Sequence, residues 1–118
     1  MNELMYRLAS WGASPHDALR CRMMGDQKLY KRLLKKFAGT EKIKAFMLAV
    51  EAEDYQKAYY EIHQMKGSAG VLSLTPLYRS AEEVISALRT GEREKIISCT
   101  EMFEGKFEEF VRIVQGTA

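Results

Sequence analysis

The stretch DYQKAYYEIHQMKGSAGVL, residues 54–72, sets the pattern that the rest of the chain follows. Its apolar residues recur at steps of three and four, which is typical of one face of an α-helix. That stripe consists of Ala58, Ile62, Met65, Ala69 and Leu72. His63 lies about 100° further round the helix than Ile62, because one turn takes 3.6 residues. We therefore expect the histidine beside the buried stripe and not within it.

The same helical spacing continues on both sides of this stretch. Apolar stripes run from Tyr30 to Phe37, from Ile43 to Val50, from Leu77 to Leu88 and from Ile96 to Val114. No segment combines β-branched residues with the turn chemistry of strands. Each stripe covers one helix face, and the connections are short, which favours antiparallel neighbours. The sequence therefore predicts an all-α fold, an up-and-down four-helix bundle with one or two short additional N-terminal helices.

Proline, glycine and hydroxyl residues mark the ends of these helices. The marks are Ser14-Pro15, Gly25-Asp26, Gly39-Thr40, Thr75-Pro76 and Thr90-Gly91. The two pairs with proline each predict an N-cap followed by the first helical residue. The three with glycine predict where a helix ends, and Asp26 and Thr40 would also cap the next helix. Whether the helix around residues 28–50 is continuous stays open. We expect residues 1–14 to form a capping segment and residues 15–118 to form the bundle.

Composition narrows the function classes. With 118 residues, 47% hydrophobic and 29% charged, the chain fits one globular domain with its own core. A formal net charge of +2, with both signs interspersed, argues against nucleic acid as a partner. Cys21 and Cys99 are far apart and lack CxxC spacing, so a reducing compartment is favoured over a disulfide or a zinc site. Neither a signal peptide nor an apolar run of membrane-spanning length is found, and we expect a cytoplasmic monomer.

His63 shares its helix face with Tyr59, Lys66, Gly67 and Gly70. Each glycine inside a helix costs about 0.8–1.0 kcal/mol relative to alanine. Two of them beside a histidine suggest that side chains are absent so that another molecule can approach closely. The alternative is that the glycines permit tight packing between helices.

The chemistry of imidazole gives this arrangement a use. Neutral imidazole is a nucleophile near pH 7 and forms covalent intermediates. A phosphoryl group on it would bring negative charge within reach of the Lys66 ammonium. The chain has no glycine-rich nucleotide loop and no carboxylate cluster suited to magnesium. We therefore expect an acceptor of phosphoryl groups that has no cofactor or metal of its own and is not itself a kinase.

The string HQMKGSAG, residues 63–70, resembles the HxxKG-centred signature of histidine-phosphotransfer (HPt) domains of bacterial phosphorelays. The flanks are similar as well. ALRCRMMGDQKLYKRLLKKF (18–37) places a Gly-Asp pair before a helix that ends in phenylalanine, and LTPLYRSAEEVISALRTG (74–91) looks like the helix after the phosphorylated one. The resemblance covers roughly residues 15–115.

This resemblance implies a four-helix bundle whose exposed histidine takes a phosphoryl group from a receiver-domain aspartate and passes it to another receiver. His63 would be the acceptor and Lys66 its charge partner. Gly67 would give clearance for the docked receiver, with Tyr59 and Gly70 on the same docking face. The implied partners are response-regulator receiver domains, with a hybrid sensor histidine kinase as a further candidate, and the magnesium ion would belong to the receiver.

The sequence departs from the family pattern at two places. Ser73 stands where the family often has a glycine after the phosphorylated helix. Ile85 stands where many members have a glutamate or glutamine that orients the imidazole. Glu82 and Ser86 are the nearest polar residues on that face and are the candidates for this role.

Two other function classes compete with phosphotransfer. The first is a helical scaffold or adaptor that keeps the bundle fold without transfer, so that His63 would be dispensable. The second is a histidine-dependent hydrolase, which is weaker because no serine, cysteine or carboxylate has a spacing that pairs it with His63. Acid-labile phosphate on His63 separates transfer from the scaffold, and the absence of turnover without a receiver separates it from the hydrolase.

Overall fold

The computed structural model describes residues 3–116, which form seven α-helices. These are α1 (Glu3–Trp11), α2 (Pro15–Arg22), α3 (Gln27–Ala38), α4 (Lys42–Glu51), α5 (Tyr55–Val71), α6 (Thr75–Thr90) and α7 (Arg93–Gln115). No strand occurs within these residues, so the all-α prediction is confirmed. Helices α4, α5 and α6 each pack against the helix that follows, and α7 closes the bundle against α3 and α4. Three helices precede these four, one more than the one or two expected. The loops between them are short, so neighbouring helices run in opposite directions.

The helix ends follow the sequence marks with small shifts. The open question around residues 28–50 is settled by a break, since α3 ends at Ala38 and α4 begins at Lys42. Asp26 caps α3 as predicted, because its Oδ1 accepts a hydrogen bond from the Leu29 amide at 3.0 Å. The predicted N-caps at Thr40 and Thr75 are each wrong by one position. Glu41 is the N-cap of α4. Leu74 is the N-cap of α6, and Thr75 is already helical.

One continuous hydrophobic core runs through the bundle, and its centre is aromatic. Phe37 of α3 meets Phe107 edge to face and Phe110 at a tilt, with ring centroids 5.5 and 5.6 Å apart. Phe46 of α4 meets Phe103 at 6.0 Å. Each fully buried phenylalanine stabilises the fold by about 1.5–3 kcal/mol. Because three of these rings come from α7, that helix holds α3 and α4 to the rest of the bundle.

Helix α1 joins the same core. Leu4, Met5 and Leu8 are buried, and α1 packs on α7. The Trp11 ring stacks on Phe110 at 6.0 Å. The division into residues 1–14 and 15–118 stays a prediction, and residues 1, 2, 117 and 118 of these ranges lie outside the described part.

The C-terminal end of α5 is fixed by two backbone hydrogen bonds. The Leu74 amide donates to the Ala69 carbonyl at 2.8 Å and the Ser73 amide to the Gly70 carbonyl at 3.2 Å. These two bonds form a Schellman motif, which requires a left-handed residue between the helix and the next segment. Ser73 supplies that conformation with φ of 56°, although it is not glycine. The backbone therefore adopts the turn that a glycine would adopt more easily.

Candidate functional site

His63 lies at the centre of α5, the ninth of its 17 residues. Ile62 beside it is fully buried, whereas the imidazole is exposed to solvent. The expected position beside the buried stripe is therefore confirmed. The Asp54 carboxylate starts the helix by accepting from the Lys57 amide at 3.2 Å, and the Schellman motif ends it. His63 thus projects from the middle of a helix that is fixed at both ends.

The ring of Tyr59 stacks on the imidazole of His63. The two ring centroids are 5.8 Å apart, and the ring planes differ by 9°. The contact joins residues four apart on one helix face, where side chains meet. The Tyr59 ring lies over one face of the imidazole, and His63 as a whole stays exposed. Tyr59 was predicted on the docking face, but its contact with His63 was not, although an aromatic pair at a spacing of four is a usable signal.

The Lys66 ammonium lies between two side chains of α6. Its Nζ is 3.9 Å from Glu82 Oε2 and 5.2 Å from the centroid of the Tyr78 ring. Glu82 was a candidate to orient the imidazole, together with Ser86. Among residues 3–116 neither hydrogen-bonds to His63, since Glu82 instead lies against the opposite charge of Lys66 and Ser86 is exposed. Ile85, which takes the place of the usual orienting residue, is buried in the core.

The two glycines beside His63 have different surroundings. A methyl group added at Gly67 would contact nothing within 4 Å. The same group at Gly70 would meet Cε2 of Tyr78 at 3.3 Å. Gly67 therefore leaves open ground next to the histidine, whereas the space at Gly70 is already filled by a ring from α6. Close packing between helices therefore applies at Gly70, and clearance for a partner at Gly67 stays a prediction.

Two grooves flank α5 and meet at Gly67, which lines both of them. The first, of about 570 Å³, contains His63, Lys66 and Tyr78 and extends to Arg22 on α2. The second, of about 640 Å³, lies towards α3 and α4 and is mostly apolar; its lining includes Leu33, Phe37, Val71, Leu72 and the lysines Lys36 and Lys42.

Arg22 and Tyr78 join the site from other helices. The Arg22 guanidinium donates to the Ser73 hydroxyl at 3.3 Å, which holds α2 beside the end of α5. Neither residue could be predicted from the sequence, because no spacing rule within one helix relates them to His63. Only the packing of α2 and α6 against α5 brings them to the same groove.

The described residues contain no group of three or more histidine, cysteine, aspartate or glutamate side chains placed to hold a metal ion. No helix among them is long and apolar enough to cross a bilayer. The site therefore consists of one exposed nucleophile, one cation held about a turn away, and an open approach. An exposed imidazole of this kind can act as a nucleophile and hold a covalent group.

A family model of the Hpt domain matches residues 36–112, from the end of α3 through most of α7. The matched range includes His63, Lys66, Gly67, Gly70 and all of α6. No curated protein and no solved structure gives a significant match.

Proposed function

The chain belongs to the Hpt domain family, the histidine phosphotransfer domains of phosphorelays, and we propose that His63 is the residue on which it carries the phosphoryl group. Hpt domains are phosphocarriers and not kinases. In the proposed reaction a receiver-domain aspartate supplies the group, and a second receiver accepts it.

The observation that supports this proposal best is the exposed imidazole of His63 next to the open ground at Gly67. A receiver has to bring its phosphorylated aspartate to within bonding distance of a ring nitrogen. A side chain at the position of Gly67 would stand in the path of that approach. The fixed ends of α5 keep the imidazole in place while the partner docks.

The transfer is a displacement at phosphorus. A lone pair on an imidazole nitrogen attacks, the new N–P bond forms, and the P–O bond to the aspartate breaks. The aspartate carboxylate keeps the electron pair, and the proton on the other ring nitrogen can then leave to solvent. Charge on the phosphoryl oxygens is balanced by the Lys66 ammonium on this side and by the magnesium ion of the receiver on the other. Donation to the second receiver runs the same steps in reverse.

The partner surface in this proposal is the face of Tyr59, Gly67 and Gly70 around His63. Its partners are receiver domains, with a hybrid sensor histidine kinase as a further candidate. The proposal places the chain in a bacterial cytoplasm as a monomer.

The experiment is phosphoryl transfer from a panel of phosphorylated receiver domains to the wild-type chain, His63→Gln and His16→Gln. His16 is the only other histidine in the sequence, so its variant is the matched control. Wild type and His16→Gln should take up label that is lost in acid and survives base, and His63→Gln should stay unlabelled. If a broad panel leaves the folded wild type unlabelled, the scaffold function replaces phosphotransfer.

A further inference from the structure

We infer that Tyr78 is a positioning residue, whose ring rests on Gly70 and holds the Lys66 ammonium beside His63. The inference rests on the proposed phosphotransfer, because it assigns a role in that reaction. It concerns a residue of α6 that no spacing on α5 points to.

The first observation is the fit between Tyr78 and Gly70. Cε2 and Cδ2 of the ring lie 3.3 and 3.4 Å from the position that a Gly70 side chain would begin to fill. A methyl group at Gly70 would push the ring away by a few tenths of an ångström, so the glycine lets the ring lie this close to α5. A glycine in the interior of a helix is unfavourable, and this contact gives it a purpose other than clearance for a partner.

The second observation is the position of the Lys66 ammonium over that ring. Its distance of 5.2 Å to the ring centroid is within the range of a cation–π interaction. The Glu82 carboxylate lies on another side of it at 3.9 Å. A lysine side chain has many rotamers, and an exposed one samples most of them. Here two partners from one helix restrict it, and only 26% of the Lys66 side chain is exposed.

The neutral ring suits this purpose better than a second carboxylate would. The Glu82 carboxylate already lies 3.9 Å from the ammonium, and a second carboxylate would compete further with an incoming phosphoryl group for it. The face of an aromatic ring attracts the cation more weakly and leaves its charge available. His63, Lys66, Gly70 and Tyr78 all line the same groove, so the held ammonium faces the space where the phosphoryl group would be bound.

The kinetic test measures transfer from a phosphorylated receiver to the full chain with Tyr78→Phe and Tyr78→Leu. Tyr78→Phe keeps the ring and should transfer at the wild-type rate. Tyr78→Leu loses the cation–π contact and should be slower by roughly two- to fivefold. Both variants are also made in a Lys66→Met background, which keeps the length of the side chain without its charge. There Tyr78→Leu should cause no further loss, whereas an equal loss in both backgrounds would mean a merely structural role and overturn the inference.

A second readout does not depend on transfer. In the wild type the ring current of Tyr78 should shift the NMR signals of the terminal Lys66 methylene upfield. The shift should persist in Tyr78→Phe and disappear in Tyr78→Leu. If the wild type shows no such shift, the inference is overturned. The proposed function would still be tested separately, by the labelling of His63. If the shift is present but no receiver labels any variant, the contact stands and its role in transfer is refuted along with the proposed function.

Discussion

At the scale of single residues, Gly67 and Ser73 each have a backbone conformation that favours the other kind of residue. Gly67 has a regular helical backbone, on which almost any residue is more stable, yet it has no side chain. Ser73 has a left-handed backbone, which favours glycine, yet it has a side chain. Each position therefore predicts a substitution that should stabilise the fold.

Gly67→Ala should raise the free energy of unfolding by up to about 1 kcal/mol, because alanine is the better helix former and the added methyl group meets open space. If Gly67 gives clearance to a docked receiver, the same substitution should slow phosphoryl transfer. Urea unfolding and transfer kinetics measure the two effects. Gly105→Ala on α7 is the matched control, since that position is also open and helical. It should stabilise equally without slowing transfer, and an unimpaired Gly67→Ala would remove the clearance role.

Ser73→Gly should raise the free energy of unfolding by up to about 1 kcal/mol, because a non-glycine residue with left-handed φ is strained. It also removes the hydrogen bond from Arg22, which is exposed and therefore of small value. Ser73→Ala loses the same hydrogen bond but keeps the strained backbone. A difference between the two variants in thermal unfolding isolates the backbone effect, and equal stabilities would show that φ at this position costs nothing.

At the scale of the helices, α5 is held by a contact from a distant part of the sequence. The Tyr30 hydroxyl on α3 donates to the Leu72 carbonyl at 2.8 Å, and the ring is buried. This bond satisfies a carbonyl at the end of α5 that has no partner within its own helix. The position of α5, which contains His63, thus depends on a tyrosine of α3.

Tyr30→Phe should lower the free energy of unfolding by about 1–3 kcal/mol, because it leaves that carbonyl without its donor. Tyr60→Phe, at an exposed ring on α5, is the control and should change stability little.

Burial raises the pKa of Tyr30, so the unfolded chain ionises first as the pH rises. The stabilisation is therefore complete below about pH 10, the unfolded pKa, and falls above it. Urea unfolding at rising pH should show a shallower alkaline loss in Tyr30→Phe, and identical slopes would contradict the assignment.

The helices could be predicted from the sequence because each buries one face, and a stripe at steps of three and four records which face. Ends are harder, as at Thr75, where proline is accepted at the second helical position as well as the first. The contacts between helices could not be predicted from the sequence. The ring of Tyr78 on Gly70 and the Glu82 carboxylate beside Lys66 depend on how α6 is set against α5, and no spacing within either helix contains that register.

At the scale of the whole molecule, the N-terminal helix and the bundle share one core. The Trp11 ring stacks on Phe110, and its indole N–H donates to the Glu109 carboxylate at 2.9 Å. That hydrogen bond is the main reason why the pKa of Glu109 is lowered, with the charge of Lys106 adding to it. These contacts tie α1 to the longest helix of the chain. They argue that the molecule unfolds as one unit.

Urea unfolding should therefore give one cooperative transition, the same by tryptophan fluorescence and by circular dichroism at 222 nm. Trp11 is the only tryptophan in the sequence, so its fluorescence reports on the N-terminal segment, whereas the dichroism reports on all helices. A fluorescence change at lower urea would mean that residues 1–14 come away first. That outcome would support the boundary expected after residue 14.

The exposure of His63 would affect the lifetime of a phosphoryl group bound to it. The imidazole is exposed to solvent, so a phosphoryl group held on it would be in contact with water. A phosphoryl group waiting there would leak away at the pace of the phosphoramidate bond itself, whether or not a second receiver arrives. The phosphorylated chain would then have a lifetime set by hydrolysis, and its level would fall unless a donor phosphorylates it again.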